Sequence, residues 1–72
     1  MDVVEILGQN VRHYRQLRGM TQEEVGLSID MKRSYVSDLE RGKRNPSVRA
    51  LGRLAEALGV EPAALLAENA GD

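Results

Sequence analysis

The side chains best suited to binding chemistry form a short polar stripe near the middle of the chain. Arg33, Ser34, Ser37, Asp38 and Arg41 are 1, 3, 1 and 3 residues apart, so on an α-helix they share one face. The stripe combines guanidinium donors, hydroxyl groups that donate and accept, and a carboxylate acceptor. This mixture of hydrogen-bonding groups favours recognition of another molecule over an inert solvent-facing surface.

Charge is distributed unevenly along the 72 residues, although the formal net charge is only −1. Residues 32–53 carry seven basic and two acidic groups, whereas residues 54–72 carry four acidic groups and no basic ones. A block of net +5 between acidic ends predicts a face for a polyanion, with a solvated helix face as the alternative. Phe and Trp are absent and Tyr occurs twice, so the aromatic surfaces on which single-stranded bases stack are missing. Duplex DNA is therefore favoured over single strands.

Several other kinds of chemistry lack the residues that they require. The chain has no cysteine, which removes disulfides and thiol nucleophiles, and its one histidine, His13, cannot form a zinc site alone. Glycine-rich phosphate loops and paired catalytic carboxylates are missing, so we expect no enzyme, no metal and no cofactor. No apolar run is long enough to span a membrane and no export signal is visible. We expect one small domain, residues 1–72, in the cytoplasm and without membrane contact.

Glycine and proline positions divide the chain into five predicted helices, and no strand pattern occurs, which predicts an all-α fold. The helices are expected at about residues 3–18, 21–29, 32–41, 48–58 and 62–68. Asp2, Thr21 and Ser47 are suitable N-caps, and Thr21 with Glu24 forms a capping-box pattern. The predicted inward positions are Val4, Leu7, Val11, Tyr14 and Leu17 in the first helix, and Val48, Leu51, Leu54, Ala55 and Leu58 in the fourth.

The second and third helices are joined by a very short segment, residues 29–32. Asp30 tolerates a left-handed backbone there, and its carboxylate is also able to cap the third helix. A glycine inside a helix costs about 1 kcal/mol relative to alanine, so Gly26 predicts that another helix passes close by. Two short helices, a tight turn and a polar face on the second of them predict a helix-turn-helix, whose second helix fits a groove about 12 Å wide.

Resemblance to a known family rests on the stretch T-Q-E-E-V-G-L-S-I-D-M-K-R-S-Y-V-S-D-L-E-R-G-K-R-N-P-S, followed by L-x-x-L-A-E-A-L-G-V. These residues resemble the helix-turn-helix family of phage Cro and repressor proteins, often called the XRE family. The resemblance covers residues 7–66. It implies a five-helix, lambda-repressor-like domain that binds an operator as a two-fold dimer and regulates transcription. Asp30 departs from the usual turn glycine, Lys32 from the usual Ser or Thr cap, and Leu27 from a usually polar position.

Matched position by position, the resemblance implies DNA contacts for the polar stripe and its surroundings. The base-reading positions are Arg33, Ser34, Ser37 and Asp38. The phosphate-binding positions are Gln22, Lys32, Tyr35, Arg41, Lys43, Arg44 and Asn45. Arg33 is able to pair bidentately with guanine, whereas charge balance within the helix is an equal alternative for Asp38, and core packing for Tyr35. Arg15 and Glu40 match an ion pair that joins the first helix to the end of the third.

The length of DNA that one helix contacts predicts how many copies of the chain bind together. One helix in one groove covers too few base pairs for useful selectivity, so we expect a homodimer on a near-palindromic duplex operator. The candidate dimer interface consists of Val60, Ala63, Leu65 and Leu66, some of which must instead pack on the first helix. Glu23 and Glu24 match a region that contacts RNA polymerase in some family members, although capping and the helix dipole also explain them.

Three biological settings remain open at this point. The stretch R-S-Y-V-S-D-L-E-R-G-K-R-N-P-S resembles the controller proteins of restriction-modification systems, which act as activators and repressors. A plasmid or phage Cro-like repressor shares much of that string. An antitoxin that binds a protein partner is a third alternative, disfavoured because only about four residues follow the fifth predicted helix.

Overall fold

The computed structural model describes residues 2–68, and all regular structure in that range is helical. The elements are α1 (Val3–Leu17), α2 (Gln22–Ser28), α3 (Arg33–Glu40), α4 (Val48–Leu58) and a 3-10 helix (Pro62–Leu66). The predicted all-α fold is confirmed, and helix bounds agree to within one residue for the first four. None of these helices is long and apolar enough to cross a membrane.

The fifth predicted helix, residues 62–68, is not an α-helix. It is a single 3-10 segment that ends at Leu66, so the described part of the chain contains four α-helices instead of five. Ala67 is in an extended conformation (φ −84°, ψ 129°), which ends the helical course. The side-chain amide of Asn10 in α1 holds the chain there, because it donates to the backbone oxygens of Leu65 (2.8 Å), Ala67 (2.9 Å) and Ala64 (3.3 Å). Residues 69–72 lie outside the described range.

Helix starts follow the predicted capping residues. The Asp2 carboxylate accepts from the Val4 N–H, and the Ser47 hydroxyl accepts from the Ala50 N–H. Thr21 and Glu24 form the complete capping box, with both reciprocal bonds present at 3.0 and 2.8 Å. These bonds satisfy N–H groups that have no partner within a helix, and so they fix where α1, α2 and α4 begin.

One hydrophobic core joins every element. It consists of Leu7, Val11, Val25, Ile29, Tyr35, Val36, Leu39, Leu54, Ala55, Leu58 and Leu65. Two positions predicted to face inward are wrong: Leu17 is 71% exposed and Val48 is 85% exposed. Each is the terminal residue of its helix, where the apolar stripe extends past the elements that cover it, so helical spacing alone misplaces them.

Two glycines allow α3 to lie unusually close to its neighbours. A Cβ on Gly26 would stand 2.7 Å from the Met31 backbone oxygen, so the predicted close approach exists, but the turn makes it and not the body of another helix. A Cβ on Gly8 in α1 would collide with the Leu39 backbone oxygen. α3 is thus held against α1 and α2 by backbone contact at both ends.

Candidate nucleic-acid interface

α3 turns its apolar side to the core and its polar side outward. Val36 and Leu39 are fully buried, whereas Arg33 and Ser34 are exposed and Ser37 is half-buried. The opposition follows from helical spacing, because residues 33, 34 and 37 lie on the face opposite 36 and 39. The four predicted base-reading residues therefore belong to one surface, with Asp38 half-buried at its edge.

The turn before α3 exposes the first residues of that helix. Asp30 adopts the left-handed conformation (φ 59°), as the sequence predicts, and the Met31 N–H donates to the Gly26 oxygen at 2.8 Å. Lys32 occupies the N-cap, and no side chain caps α3, so the alternative cap by Asp30 is wrong. The first N–H groups of α3 are thus left without a side-chain acceptor, beside the exposed Lys32 and Arg33.

A hydrogen-bonded group ties the end of α3 to α1 and α2. Arg15 Nε lies 2.6 Å from Glu40 Oε2 and Arg15 Nη2 lies 3.1 Å from Glu40 Oε1, a bidentate pair whose side chains are only 13% and 5% exposed. Gln22 Nε2 donates to the same Glu40 Oε1 at 3.2 Å, and Arg15 Nη1 donates to the Met20 oxygen. The structure therefore brings Gln22, a predicted phosphate contact, into the group that positions α3.

Asp38 pairs within its own helix. Its carboxylate accepts from Arg41 Nη2 at 2.8 Å, an exposed i,i+3 contact, and no bond joins it to Arg33 in the described structure. This geometry favours the charge-balance interpretation of Asp38. Arg33 has no ion-pair partner among residues 2–68, so its guanidinium is available to a ligand.

The loop after α3 carries a second group of cations. Lys43, Arg44 and Asn45 are exposed, and the Arg44 guanidinium lies 5.1 Å from the centroid of the Tyr35 ring. Tyr35 is 9% exposed and packs in the core, yet its hydroxyl has no partner in the described range and is not buried. Core packing of the Tyr35 ring is confirmed. The hydroxyl reaches the surface, and its contact with a phosphate stays a prediction.

The residues predicted to contact a second copy or RNA polymerase differ in how exposed they are. Leu65 is fully buried in the core, so its inclusion in a dimer interface is wrong: it supports the 3-10 segment instead. Ala63 and Leu66 are exposed and Val60 is half-buried. Glu23 is exposed, whereas the Glu24 carboxylate is occupied by the Thr21 N–H.

Sequence reasoning missed several residues that shape or border this surface. Arg49 and Arg53 line a shallow depression with Met31 beside the turn into α3, and their i,i+4 spacing inside the basic block was the available signal. Gly8 and Asn10 act through backbone contacts of distant segments, which leave no local pattern. No group of three or more acidic or histidine side chains within residues 2–68 is arranged to hold a metal ion.

With the fold and this surface described, comparison with known proteins identifies the class. The helix-turn-helix family model matches residues 11–65, and the chain belongs to this family of XRE-type DNA-binding transcriptional regulators.

Individual relatives are similar over most of their length. The chain is 47% identical over 60 residues to the HTH-type transcriptional regulator y4dJ of Sinorhizobium fredii, covering 83% of this chain and 78% of that protein. It is 42% identical over 62 residues to the control protein C.BamHI of Bacillus amyloliquefaciens, covering 85% and 76%.

Solved structures of restriction-modification controller proteins have the same fold. C.AhdI of Aeromonas hydrophila has a TM-score of 0.82 and 39% identity, covering 86% of this chain and 94% of that one. C.Esp1396I, solved as a tetramer in complex with its natural 35 base-pair operator, has a TM-score of 0.79 and 25% identity, covering 90% and 86%.

Proposed function

We propose that this regulator binds a near-palindromic duplex operator as a homodimer, with α3 in the major groove of each half-site. The observation that carries the proposal is the exposed polar face of α3 opposite a fully buried apolar face. Because Gly8 and Gly26 hold α3 by backbone contact, its polar face is presented by a rigid support. Direct base readout requires such rigidity, since hydrogen bonds to base edges depend on position.

Arg33 is the proposed principal base-reading residue. It stands at the start of α3, is exposed, and has no acidic partner in the described structure. Its planar guanidinium matches the O6 and N7 acceptors of guanine, a contact that contributes about 1–3 kcal/mol of discrimination. Ser34 and Ser37 are proposed to contact neighbouring base edges. Asp38, already paired with Arg41, is proposed to act only after that exposed pair opens.

Phosphate contacts are proposed on both sides of α3. They comprise Gln22 and Lys32 before the helix, the Tyr35 hydroxyl and Arg41 on it, and Lys43, Arg44 and Asn45 after it. The Arg44 guanidinium rests on the Tyr35 ring, which limits its freedom and reduces the entropy lost when it binds a phosphate. These contacts fix register and orientation on the duplex and carry no sequence information themselves.

A role as a restriction-modification controller protein is the more specific proposal. It is supported by similarity to C.BamHI and C.AhdI over at least 85% of this chain. The C.Esp1396I tetramer in complex with its natural 35 base-pair operator supports binding of more than one copy to an operator. Contact with RNA polymerase remains a proposal for the exposed Glu23, since Glu24 is engaged in capping. A site of action in the cytoplasm, where bacterial DNA is accessible, follows from the same proposal.

The test is selection of a preferred duplex from a randomised library, followed by titration of that duplex and of an unrelated one. We expect Arg33→Ala to weaken binding to the selected duplex by about 5-fold to 150-fold, which corresponds to 1–3 kcal/mol, with little change on the unrelated duplex. Arg12→Ala, which removes a charge from exposed α1 surface, is the matched control. Equal losses on both duplexes would rule out base reading by Arg33, and failure to select any preferred sequence would rule out the operator.

A further inference from the structure

Glu40 is the point at which three helices are joined, and Gln22 is the member contributed by α2. Glu40 is the last residue of α3, Arg15 lies near the end of α1, and Gln22 is the first residue of α2. The Glu40 carboxylate is only 5% exposed and accepts two bonds from Arg15 and one, at 3.2 Å, from Gln22 Nε2. Gln22 therefore provides the side-chain bond that links α2 to α3 through this carboxylate.

This bond lies at the end of the helix pair that is opposite to the turn. α2 ends and α3 begins at the turn of residues 29–32, whereas Gln22 begins α2 and Glu40 ends α3. The turn thus joins one end of each helix, and the bond from Gln22 to Glu40 joins the other end of each. A helix pair held at both ends has a fixed angle, so Gln22 contributes to the angle at which α3 leaves the turn.

The angle between α2 and α3 matters for reading bases. α3 contains 8 residues, so it is about 12 Å long and a tilt of about 5° moves its far end by about 1 Å. Direct readout needs side chains placed to within about 0.5 Å. Attraction to phosphates depends on charge and tolerates such a shift. We therefore expect loss of the bond to affect sequence-specific binding more than non-specific binding.

The Gln22 amide has a second donor hydrogen available to a ligand. A carboxylate only accepts hydrogen bonds, so the nitrogen of the amide must face Glu40, and that nitrogen carries two hydrogens. One hydrogen serves Glu40, and no acceptor within residues 2–68 takes the other. The amide oxygen has no partner in that range either and is not buried, so this end of the side chain reaches solvent. A phosphate oxygen of DNA, which also only accepts, fits the second hydrogen.

We propose that Gln22 is a positioning residue whose amide keeps its bond to Glu40 while it donates to a DNA phosphate. The phosphate contact on α2 and the placement of α3 are then coupled through one side chain. Gln22 consequently contributes to sequence selectivity although it contacts no base. This inference rests on the proposed operator function and deepens it, because a phosphate contact by itself carries no sequence information.

Three roles for Gln22 give different binding results. A phosphate contact alone lowers the affinity for every duplex by the same factor. A purely structural role lowers the melting temperature and leaves the ratio of affinities between duplexes unchanged. The proposed positioning role lowers that ratio, because only the specific complex depends on where α3 lies.

Loss of the Gln22 side chain leaves the rest of the support in place. Arg15 keeps its bidentate contact with Glu40, so the carboxylate retains its charged partner. The capping box that begins α2 is formed by other residues and does not involve the Gln22 side chain. Gln22→Ala should therefore fold, and its melting temperature verifies this before binding is measured.

The first test compares Gln22→Ala with Asn45→Ala on two duplexes, the one selected from a randomised library and an unrelated one. Asn45 is the matched control, because it also carries an amide and is a proposed phosphate contact, but is exposed and makes no side-chain bond within residues 2–68. We expect Gln22→Ala to lower the ratio of the two affinities by about 3-fold to 10-fold, the scale of one hydrogen bond. Asn45→Ala should change the ratio by less than about 2-fold. An unchanged ratio for Gln22→Ala, or equal decreases for both variants, overturns the proposal.

A double-mutant cycle shows whether Gln22 acts through the base-reading helix. In the background of Arg33→Ala the principal proposed base contact of α3 is missing, so the position of α3 matters less. We expect Gln22→Ala to lower the affinity ratio by less than about 2-fold in that background, since the effects of coupled residues are not additive. The same decrease as in the natural chain would mean that Gln22 acts independently of α3, and that result overturns the positioning role.

Nuclear magnetic resonance tests the shared amide in the natural chain. The glutamines of the sequence are Gln9, Gln16 and Gln22, and the side-chain signals of Gln22 are those absent from Gln22→Ala. We expect one amide hydrogen at low field in the free chain, owing to Glu40, and both at low field on the selected duplex. A bond to phosphate that replaces the bond to Glu40 would leave only one hydrogen at low field, which contradicts the proposal.

The natural chain separates failure of this inference from failure of the operator proposal. If it prefers one duplex and Gln22→Ala keeps the full preference, the positioning role is wrong and the operator proposal stands. If it prefers no duplex, the operator proposal is wrong and the positioning role is wrong with it.

Discussion

Replacing Glu40 with Gln tests whether the bidentate contact to Arg15 holds α3 in place. The substitution keeps the side-chain volume and removes the charge, which leaves the Arg15 guanidinium largely buried without a counter-ion. Removal of one partner from a buried ion pair typically costs about 3–5 kcal/mol. Because Arg15 is 13% exposed and keeps its bond to the Met20 oxygen, we expect the lower end, about 3 kcal/mol.

That loss is large for a chain of this length. At about 0.05–0.15 kcal/mol per residue, 72 residues correspond to a total stability of roughly 4–11 kcal/mol. With roughly 4–8 °C of melting temperature per kcal/mol, Glu40→Gln should melt about 12–24 °C lower. The assay is urea and thermal unfolding followed by circular dichroism.

The same helix supplies the control. Asp38→Asn removes the exposed ion pair with Arg41, whose side chains are 35% exposed at Asp38 and 60% at Arg41, and exposed pairs contribute about 0–1 kcal/mol. The double variant Arg15→Met with Glu40→Leu should regain most of the stability, because an apolar pair leaves no uncompensated charge. Equal effects of Glu40→Gln and Asp38→Asn would refute the argument from burial, as would a loss below about 1 kcal/mol for Glu40→Gln.

Three further predictions concern other parts of the same surface and its support. Lys43→Ala and Arg44→Ala should each reduce the slope of log binding constant against log salt by about one unit, and an unchanged slope would remove that residue from the phosphate contacts. Tyr35→Phe should leave unfolding within about 0.5 kcal/mol, since the ring stays, but weaken DNA binding with an unchanged salt slope; retained binding would assign Tyr35 to the core alone. Gly8→Ala should cost about 1–3 kcal/mol by collision with the Leu39 oxygen, whereas Gly52→Ala, with open space around it, should gain about 0.5–1 kcal/mol; similar effects at both positions would contradict the close approach of α1 and α3.

Local features of the structure were predictable because their causes are local. The caps of α1, α2 and α4 depend on a side chain and an N–H group two or three residues away, so Asp2, Thr21 and Ser47 could be recognised directly. The outward polar face of α3 follows from the spacing of Arg33, Ser34 and Ser37 relative to Val36 and Leu39. The left-handed conformation at Asp30 follows from its position in a two-helix turn.

Features that join distant segments were not predictable in this way. Spacing assigned Val48 and Leu17 to the core, but burial depends on which element covers a helix end, and no element within residues 2–68 covers these two. Leu65 and Leu66 are adjacent leucines, yet only Leu65 is buried in the core. Asparagine is a residue type usually found at the protein surface. Asn10 is buried because its amide binds backbone oxygens more than fifty positions away along the chain.

The amino-acid sequence thus determined where the helices begin, which face of α3 is polar, and the family to which the chain belongs, because each depends on residues close together along the chain. The tertiary structure alone decided that Gln22 joins the predicted pair of Arg15 and Glu40, that the last helix ends at Leu66, and that Val3, Val48 and Leu66 meet on one surface. The physical reason is that packing brings together groups whose separation along the chain carries no periodic signal.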